Sequence, residues 1–302
     1  MLNVQLTLLV TIALGYGITK GGMISPKTRA ELTNLVINVI LPCSIFSSFQ
    51  QGMSPEILRW GIVVLLVASG LQFLVFILNK FLFLWIPTEK RIILKYAMIT
   101  NNSAFMGLPV LGGVIGELGI LYGSIFLIPM RILMWTTGLS LFTASEASTA
   151  STGKRIVSVI TNPNMIAVYL GIGFVFLPIQ LPVFLMNAIT TVGFCVRVVP
   201  MMIVGSLLSG VKFKEAFDIH SFYYSLFRLL VVPAIMLGAL SLLKLDPVVV
   251  SVSVFMAGMP AANTTAVLAE KYGKEPEFAS KTVLVSILLS MITLPLIAAV
   301  LI

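Results

Sequence analysis

Three arginines inside apolar segments are the side chains of this sequence with the most specific chemical consequence. Arg131, Arg197 and Arg228 each lie within a long run of hydrophobic residues. An arginine at the centre of a membrane helix costs about 2.5 to 3.5 kcal/mol on insertion, so each guanidinium needs an acceptor or water. It can bind a carboxylate through two hydrogen bonds, cap backbone carbonyls, or extend to the membrane surface. Substrate and structural roles stay open for Arg131 and Arg197, whereas capping or surface contact is favoured for Arg228.

The acidic residues are not placed to neutralise these arginines. All eleven lie at or beyond the ends of the apolar segments, so a coupling cation would also find no carboxylate at mid-membrane. The partners of the arginines must then be carbonyls, water or an anion that enters and leaves. The sequence contains no HExxH motif, no zinc-ligand spacing and no intramembrane aspartate pair or serine and histidine pair. We therefore predict an anionic ligand, and no catalytic residue, metal site or cofactor.

Two stretches rich in amide and hydroxyl side chains interrupt otherwise apolar segments. ITNNSAFMGLP spans Ile99 to Pro109, and GMPAANTTA spans Gly258 to Ala266. Proline removes a backbone donor and clashes with the preceding turn, and unpaired backbone groups at membrane depth need protein or a wet cavity. The polar side chains can satisfy such groups, hold a ligand, or join helices by hydrogen bonds. Together with Arg131 and Arg197, the predicted substrate-binding residues are Asn101, Asn102, Ser103, Pro260, Ala261, Asn263 and Thr264.

The composition of the chain requires a membrane. Of its 302 residues, 58% are hydrophobic and only 10% are charged, and about 20 apolar residues in a row cross a bilayer. Almost nothing remains for a soluble domain. The apolar segments predict an all-α membrane protein with ten transmembrane helices, at about 3–20, 29–50, 57–86, 92–115, 119–143, 159–178, 184–210, 219–243, 247–269 and 278–301.

The net charge of +8 follows this topology and does not indicate nucleic acid. Fourteen basic residues flank the loops that follow spans one, three, five, seven and nine, against only Arg59 and Lys244 on the other side. Because cytoplasmic loops carry the excess of lysine and arginine, these loops are predicted to be cytoplasmic and both termini external. We expect a multi-pass protein of the plasma membrane, in contact with the lipid bilayer.

Helix-breaking residues recur at similar intervals in the two halves of the chain. The intervals are 59 then 28 residues in the first half, and 63 then 32 in the second. Five spans per half is an odd number, so the second half enters the membrane from the opposite face, as in the inverted repeats of secondary transporters. Chance recurrence is the alternative, because proline and glycine are common in membrane helices. The predicted divisions are a repeat at 1–144, a cytoplasmic linker at 145–157 and an inverted repeat at 158–302. The recurring residues are Pro42, Asn101, Asn102, Pro129, Pro200, Asn263 and Pro295.

Several motifs resemble those of the auxin efflux carrier family, over nearly the whole chain. They include NLVINVILPCSIFSSF, NNSAFMGLPVL, MPAANTTAVLAEKYG and ASKTVLVSILLSMITLPL. The family contains plant auxin carriers and bacterial members linked to malate, malonate or related organic acids. The resemblance implies a 5+5 inverted repeat with broken helices four and nine crossing at the midplane, as in bile-acid-transporter-like and sodium/proton-antiporter-like folds. It places Asn102 at an asparagine that lines the plant substrate site and Pro260 at the crossover proline. The plant carriers have proline where this chain has Asn101, which implies a less pronounced interruption of helix four.

The residues and the resemblance together predict a secondary or facilitative transporter of small organic anions, such as mono- or dicarboxylates or auxin-like acids. It would work by alternating access, as a monomer or a homodimer. The alternative is a membrane sensor or receptor that binds a similar ligand without moving it. Without a mid-membrane carboxylate, we expect uniport, exchange, or co-transport in which the substrate carries the proton, with sodium held by backbone oxygens still open.

Cysteine accessibility tests the predicted topology. With Cys43 and Cys195 replaced by alanine, a single cysteine appended to either terminus should react with a membrane-impermeant reagent added to intact cells. Ser151→Cys, in the predicted cytoplasmic linker, is the control and should react only after the membrane is opened. Labelling of either terminus only in opened cells would contradict the ten-span arrangement.

Overall fold

The computed structural model describes residues 2–49, 54–143, 161, 163–177, 181–210 and 218–301. Over these ranges the chain is helical, with short π and 3₁₀ turns and an isolated β-bridge between Asn101 and Ala261. In chain order the helices are α1 (Leu2–Lys20), α2 (Pro26–Leu35), α3 (Leu41–Phe49), α4 (Pro55–Leu78), α5 (Thr88–Ile99), α6 (Leu108–Val114), α7 (Glu117–Leu133), α8 (Leu139–Thr143), α9 (Pro163–Phe176), α10 (Val183–Phe194), α11 (Val199–Ser209), α12 (Ile219–Leu226), α13 (Val232–Ser241), α14 (Pro247–Ala257), α15 (Thr264–Lys271) and α16 (Pro276–Leu301).

Several helical segments can cross a membrane. In the described part of the chain, five are long and apolar enough: Pro26–Phe49, Pro55–Leu78, Val183–Ser206, Ile219–Ser241 and Pro276–Leu301. Glu117–Leu133 with Thr136–Phe142, a pair bent by 41°, makes a sixth when counted as one span. The chain is therefore an all-helical membrane protein. Of the other predicted spans, 3–20 coincides with the continuous α1, 159–178 with the shorter α9, and 92–115 and 247–269 with interrupted helices. The ten-span inverted repeat stays a prediction.

The chain forms two compact units. Unit 1 comprises Met1–Gly61, Ala104–Ile125 and Ile160–Val211, and unit 2 comprises Ile62–Ser103, Phe126–Val159 and Lys212–Ile302. Each unit draws on both predicted halves of the sequence, so the units are not the halves themselves. The predicted linker 145–157 lies outside the described residues, and the repeat boundaries remain a prediction.

Two helices of unit 2 begin at aspartates that cap them. The Asp218 carboxylate accepts hydrogen bonds from the backbone amides of His220 and Ser221, and that of Asp246 accepts one from Val248. Such caps satisfy the first amides of a helix, which have no partner within it. Partial burial alone would raise the pKa of Asp218, but the hydrogen bond and charge of Lys90, with the two amides, hold that pKa below its usual range. Asp218 therefore stays ionised and fixes the start of α12.

Close contact between α1 and α11 organises unit 1. A Cβ added to Gly15 would lie 2.1 Å from the carbonyl oxygen of Met202, and one added to Gly205 would lie 1.9 Å from that of Ile12. Real Cβ atoms do not approach backbone oxygens so closely, so only glycine fits at these two positions. Small residues allow membrane helices to pack backbone against backbone, where van der Waals contact replaces the hydrophobic driving force.

Gly205→Ala should therefore destabilise the protein. The new methyl group would meet the Ile12 carbonyl, which cannot rotate away as a side chain does, and we expect a loss of about 1 to 3 kcal/mol or more. The measurement is the Tm of purified protein in detergent. Gly17→Ala is the matched control, because a Cβ there meets nothing within 4 Å; equal Tm values for the two variants would contradict the close packing of α1 and α11.

Candidate functional site

Two breaks in the helices of the chain are hydrogen-bonded to each other. Between α5 and the π turn Ser103–Gly107, and between α14 and α15, the chain leaves helical geometry. The backbone amide of Asn102 donates to the Pro260 carbonyl at 2.7 Å, and that of Ala262 donates to the Thr100 carbonyl at 3.5 Å. The two segments thus pair like short antiparallel strands. We call this pairing, made by Thr100–Ser103 and Met259–Ala262, the crossover.

Asn101 supports the break in the first segment. Its side-chain amide donates to the Met256 carbonyl at 2.7 Å, and its oxygen accepts from the backbone amide and hydroxyl of Ser103. Because Asn101 is buried, these bonds take the place of the hydrogen bonds that its side chain would make with water. The break leaves only residues 100–102 outside helical geometry, against residues 258–263 in the second segment, which contains Pro260. In the first segment the hydrogen bonds of the Asn101 side chain support the break, whereas in the second segment Pro260 cannot continue the helix.

Neighbouring helices satisfy other backbone groups around the crossover. The amide of Ala261 donates to the Ser286 hydroxyl of α16 at 3.0 Å, and the hydroxyl of Tyr224 in α12 donates to the Ala97 carbonyl at 2.9 Å. Tyr96 donates through its hydroxyl to that of Thr264 at 3.3 Å. Each of these bonds joins segments distant in sequence. The crossover is therefore held by the packed helices of unit 2 as well as by its own pairing.

Arg228 caps carbonyls from both broken helices. It lies in the π turn Phe227–Val231 and only 1% of it is exposed. Its Nε donates to the Met259 carbonyl at 3.4 Å, and one terminal nitrogen donates to the Met98 carbonyl at 3.2 Å. The carbonyl-capping role favoured for this arginine is thus found, whereas extension to a membrane surface is not. Capping places a positive charge at two helix C-terminal ends, which carry partial negative charge.

Buried donors without partners remain beside these contacts. In the described part of the chain, the side-chain nitrogen of Asn102 and the second terminal nitrogen of Arg228 have no hydrogen-bond acceptor, and the Thr265 hydroxyl has no partner. All three residues are at least 97% buried. An unsatisfied buried donor is costly, so a bound acceptor would stabilise them. Asn102 and Arg228 bond to the adjacent carbonyls of Pro260 and Met259, which places both residues at the crossover.

The predicted site residues divide into three groups. Asn101, Asn102, Ser103, Pro260 and Ala261 lie in the crossover itself, while Asn263 and Thr264 follow it at the start of α15 and are half-buried.

Arg131 and Arg197, the two arginines predicted to bind the substrate, form the third group. Arg131 lies in α7, half-buried and two residues after Pro129. Arg197 ends a 3₁₀ turn in unit 1, and its side chain lies outside the described residues. Arg228, for which the sequence favoured capping or surface contact over a substrate role, is an arginine observed at the crossover. Its position in an apolar run without a carboxylate is shared with Arg131 and Arg197, so this feature of the sequence does not single it out.

Comparison with known proteins identifies the chain. A profile described as membrane transport protein matches residues 3–298. The chain belongs to this family. The resemblance to auxin efflux carriers found in the motifs is thereby confirmed.

Two archaeal relatives match this membrane transport protein from end to end. An uncharacterized transporter of Methanothermobacter thermautotrophicus is 27% identical, over 96% of this chain and 95% of its own length. An uncharacterized transporter of Methanocaldococcus jannaschii is 24% identical, over 98% and 97%. Both relatives are described as transporters. Among the described residues, no group of three His, Cys, Asp or Glu side chains is suited to hold a metal ion.

The neighbouring asparagines of the crossover should differ in their effects on stability. Asn101→Ala removes the donor to Met256 and the acceptor for Ser103, so we expect a loss of about 1 to 3 kcal/mol. Asn102→Ala removes a side-chain nitrogen that has no partner and keeps the backbone bond to Pro260. It should therefore have a Tm close to that of the unaltered protein. Equal destabilisation by both changes would contradict the division of roles between them.

Proposed function

We propose that this membrane transport protein is a secondary or facilitative transporter of small organic anions, with the crossover as its substrate site. The observation that carries the proposal is the pair of buried donors, Asn102 Nδ2 and Arg228 Nη2, that lack partners where two broken helices meet. Transporters of inverted-repeat design hold substrates at such broken helices. Mono- and dicarboxylates and auxin-like acids are the proposed substrate class.

The charge around the crossover favours an anion. Lys90 pairs with Asp218 and Lys281 with Glu277, but in the part of the chain that the structure describes no carboxylate forms an ion pair with Arg228. The buried guanidinium is therefore a positive charge without a carboxylate partner. The N-terminal end of α15, which begins at Thr264, adds positive potential on the same segment. A substrate carboxylate would supply the missing negative charge and accept hydrogen bonds from the unpaired donors.

The other predicted residues receive secondary roles in this proposal. Asn263 and Thr264 would contact the substrate from the start of α15, while Asn101 and Ser103 shape the break from which Asn102 projects. Arg131 and Arg197 remain proposed as further anion contacts. Unit 2 contains the whole crossover, which suits a moving transport unit, and unit 1 would serve as the scaffold.

The topology and energetics of this transporter would be those predicted from the sequence. The protein would lie in the plasma membrane with ten spans in two inverted halves, 1–144 and 158–302, and with both termini outside. Because no carboxylate is placed at mid-membrane, transport would be uniport, exchange, or co-transport of a proton on the substrate itself.

Counterflow in liposomes tests this function. A thermal-shift screen of mono- and dicarboxylates first identifies a ligand, and the radiolabelled ligand is then offered to vesicles loaded with the unlabelled compound. We expect transient accumulation of label, and we expect Asn102→Ala and Asn263→Ala each to weaken binding by about 1 to 3 kcal/mol.

Asn187→Ala is the matched control, because Asn187 is exposed on α10 in unit 1. It should bind and transport as the unaltered protein does. Unchanged affinity in both the Asn102 and Asn263 variants would refute the site. Binding without counterflow would indicate a sensor and refute transport.

A further inference from the structure

We infer that Arg228 is a resident cation of the crossover, occupying a carbonyl site that a mobile coupling cation would otherwise need. This inference deepens the proposed function and rests on it only where transport is concerned. A fixed guanidinium, and not a bound sodium ion, occupies the carbonyl site where the broken helices meet.

The atoms around the guanidinium are those that suit a cation. Met98 lies in the last turn of α5, and Met259 lies just beyond the end of α14. In an unbroken helix the Met98 carbonyl would accept from the amide of Asn102, but that amide donates to Pro260 instead. Unwound carbonyls and half-helix C-terminal ends coordinate the transported cation in other carriers with broken helices. Here Arg228 takes two such carbonyls, one from each broken helix.

The helix that carries Arg228 fixes the charge in place. Tyr224, one turn earlier, donates its hydroxyl to the Ala97 carbonyl, next to the Met98 carbonyl that Arg228 caps. Both side chains are almost completely buried. Two consecutive carbonyls at the end of α5 are therefore held by residues four apart on one neighbouring segment. The π turn Phe227–Val231 lies at this contact, and such turns are frequent at functional sites.

Removal of the guanidinium would leave a defined vacancy. The Met98 and Met259 carbonyls would lose their donors, and the C-terminal ends of two half-helices would lose their counter-charge. A small cation of matching shape could then enter from solution. Lysine would keep the charge but has one compact ammonium group, so it cannot reproduce the spread of donors that a guanidinium offers.

The test measures the Tm of full-length protein in detergent, in sodium chloride and in choline chloride at the same ionic strength. The unaltered protein should have the same Tm in both salts. Arg228→Ala should lower the Tm by about 5 °C or more, and low concentrations of guanidinium should restore much of the loss. Arg228→Lys should have an intermediate Tm that does not depend on sodium.

Arg91→Ala is the matched control. Arg91 is a half-exposed arginine of unit 2 that bonds to the Leu84 carbonyl and the Thr88 hydroxyl. Its alanine variant should not respond to guanidinium. If Arg228→Ala is too unstable to purify, it is expressed and purified with guanidinium present, where recovery of folded protein is the expected result.

Four results would overturn the inference. They are an unchanged Tm in Arg228→Ala, a guanidinium response no larger than that of Arg91→Ala, stabilisation of the unaltered protein by sodium over choline, and failure to recover Arg228→Ala even with guanidinium. The Tm requires no substrate, so the expected Tm pattern together with absent counterflow would sustain the resident cation while refuting transport.

Discussion

The structure of unit 2 depends on one constraint, which is that backbone groups released from a helix inside a membrane must find partners within the protein. At the crossover those partners come from the broken segments themselves and from neighbouring helices. The broken segments bond to each other through the amides of Asn102 and Ala262, the Asn101 side chain bonds to the Met256 carbonyl, and Arg228 caps carbonyls of both helices. Beside these satisfied groups, Asn102 Nδ2 and Arg228 Nη2 are left without an acceptor.

The positions of the breaks could be predicted from local sequence. Proline and glycine at Pro260 and Gly258, and the paired asparagines before Ser103, interrupt apolar runs, and the chain does leave helical geometry at both places. Helix starts were also encoded, as at Asp218 and Asp246, whose side chains cap the following turns. These features are local: each depends on the conformational preferences of a few consecutive residues.

The partners of the breaks could not be predicted, because they depend on long-range packing. Ser286 has no sequence feature that identifies it as the acceptor for the Ala261 amide. Arg228 was one of three arginines in apolar segments, and only the fold shows that it reaches Met98 and Met259. Composition likewise indicated a membrane protein and its helices, but the interleaving of both sequence halves in each unit is a property of packing. Local rules therefore place the interruptions, and tertiary contacts decide what satisfies them.

A fixed positive charge at the crossover also bears on the energetics of the proposed transport. An empty site would carry the charge of Arg228, and a bound monoanion would neutralise it. If unit 2 moves this site across the membrane field, the loaded step moves no net charge, and the empty step moves one positive charge, worth about 2.3 kcal/mol per 100 mV. An inside-negative potential then favours return of the empty site towards the cytoplasm. Exchange, in which both steps are loaded, would be insensitive to the potential, whereas net efflux would be driven by it through the empty carrier.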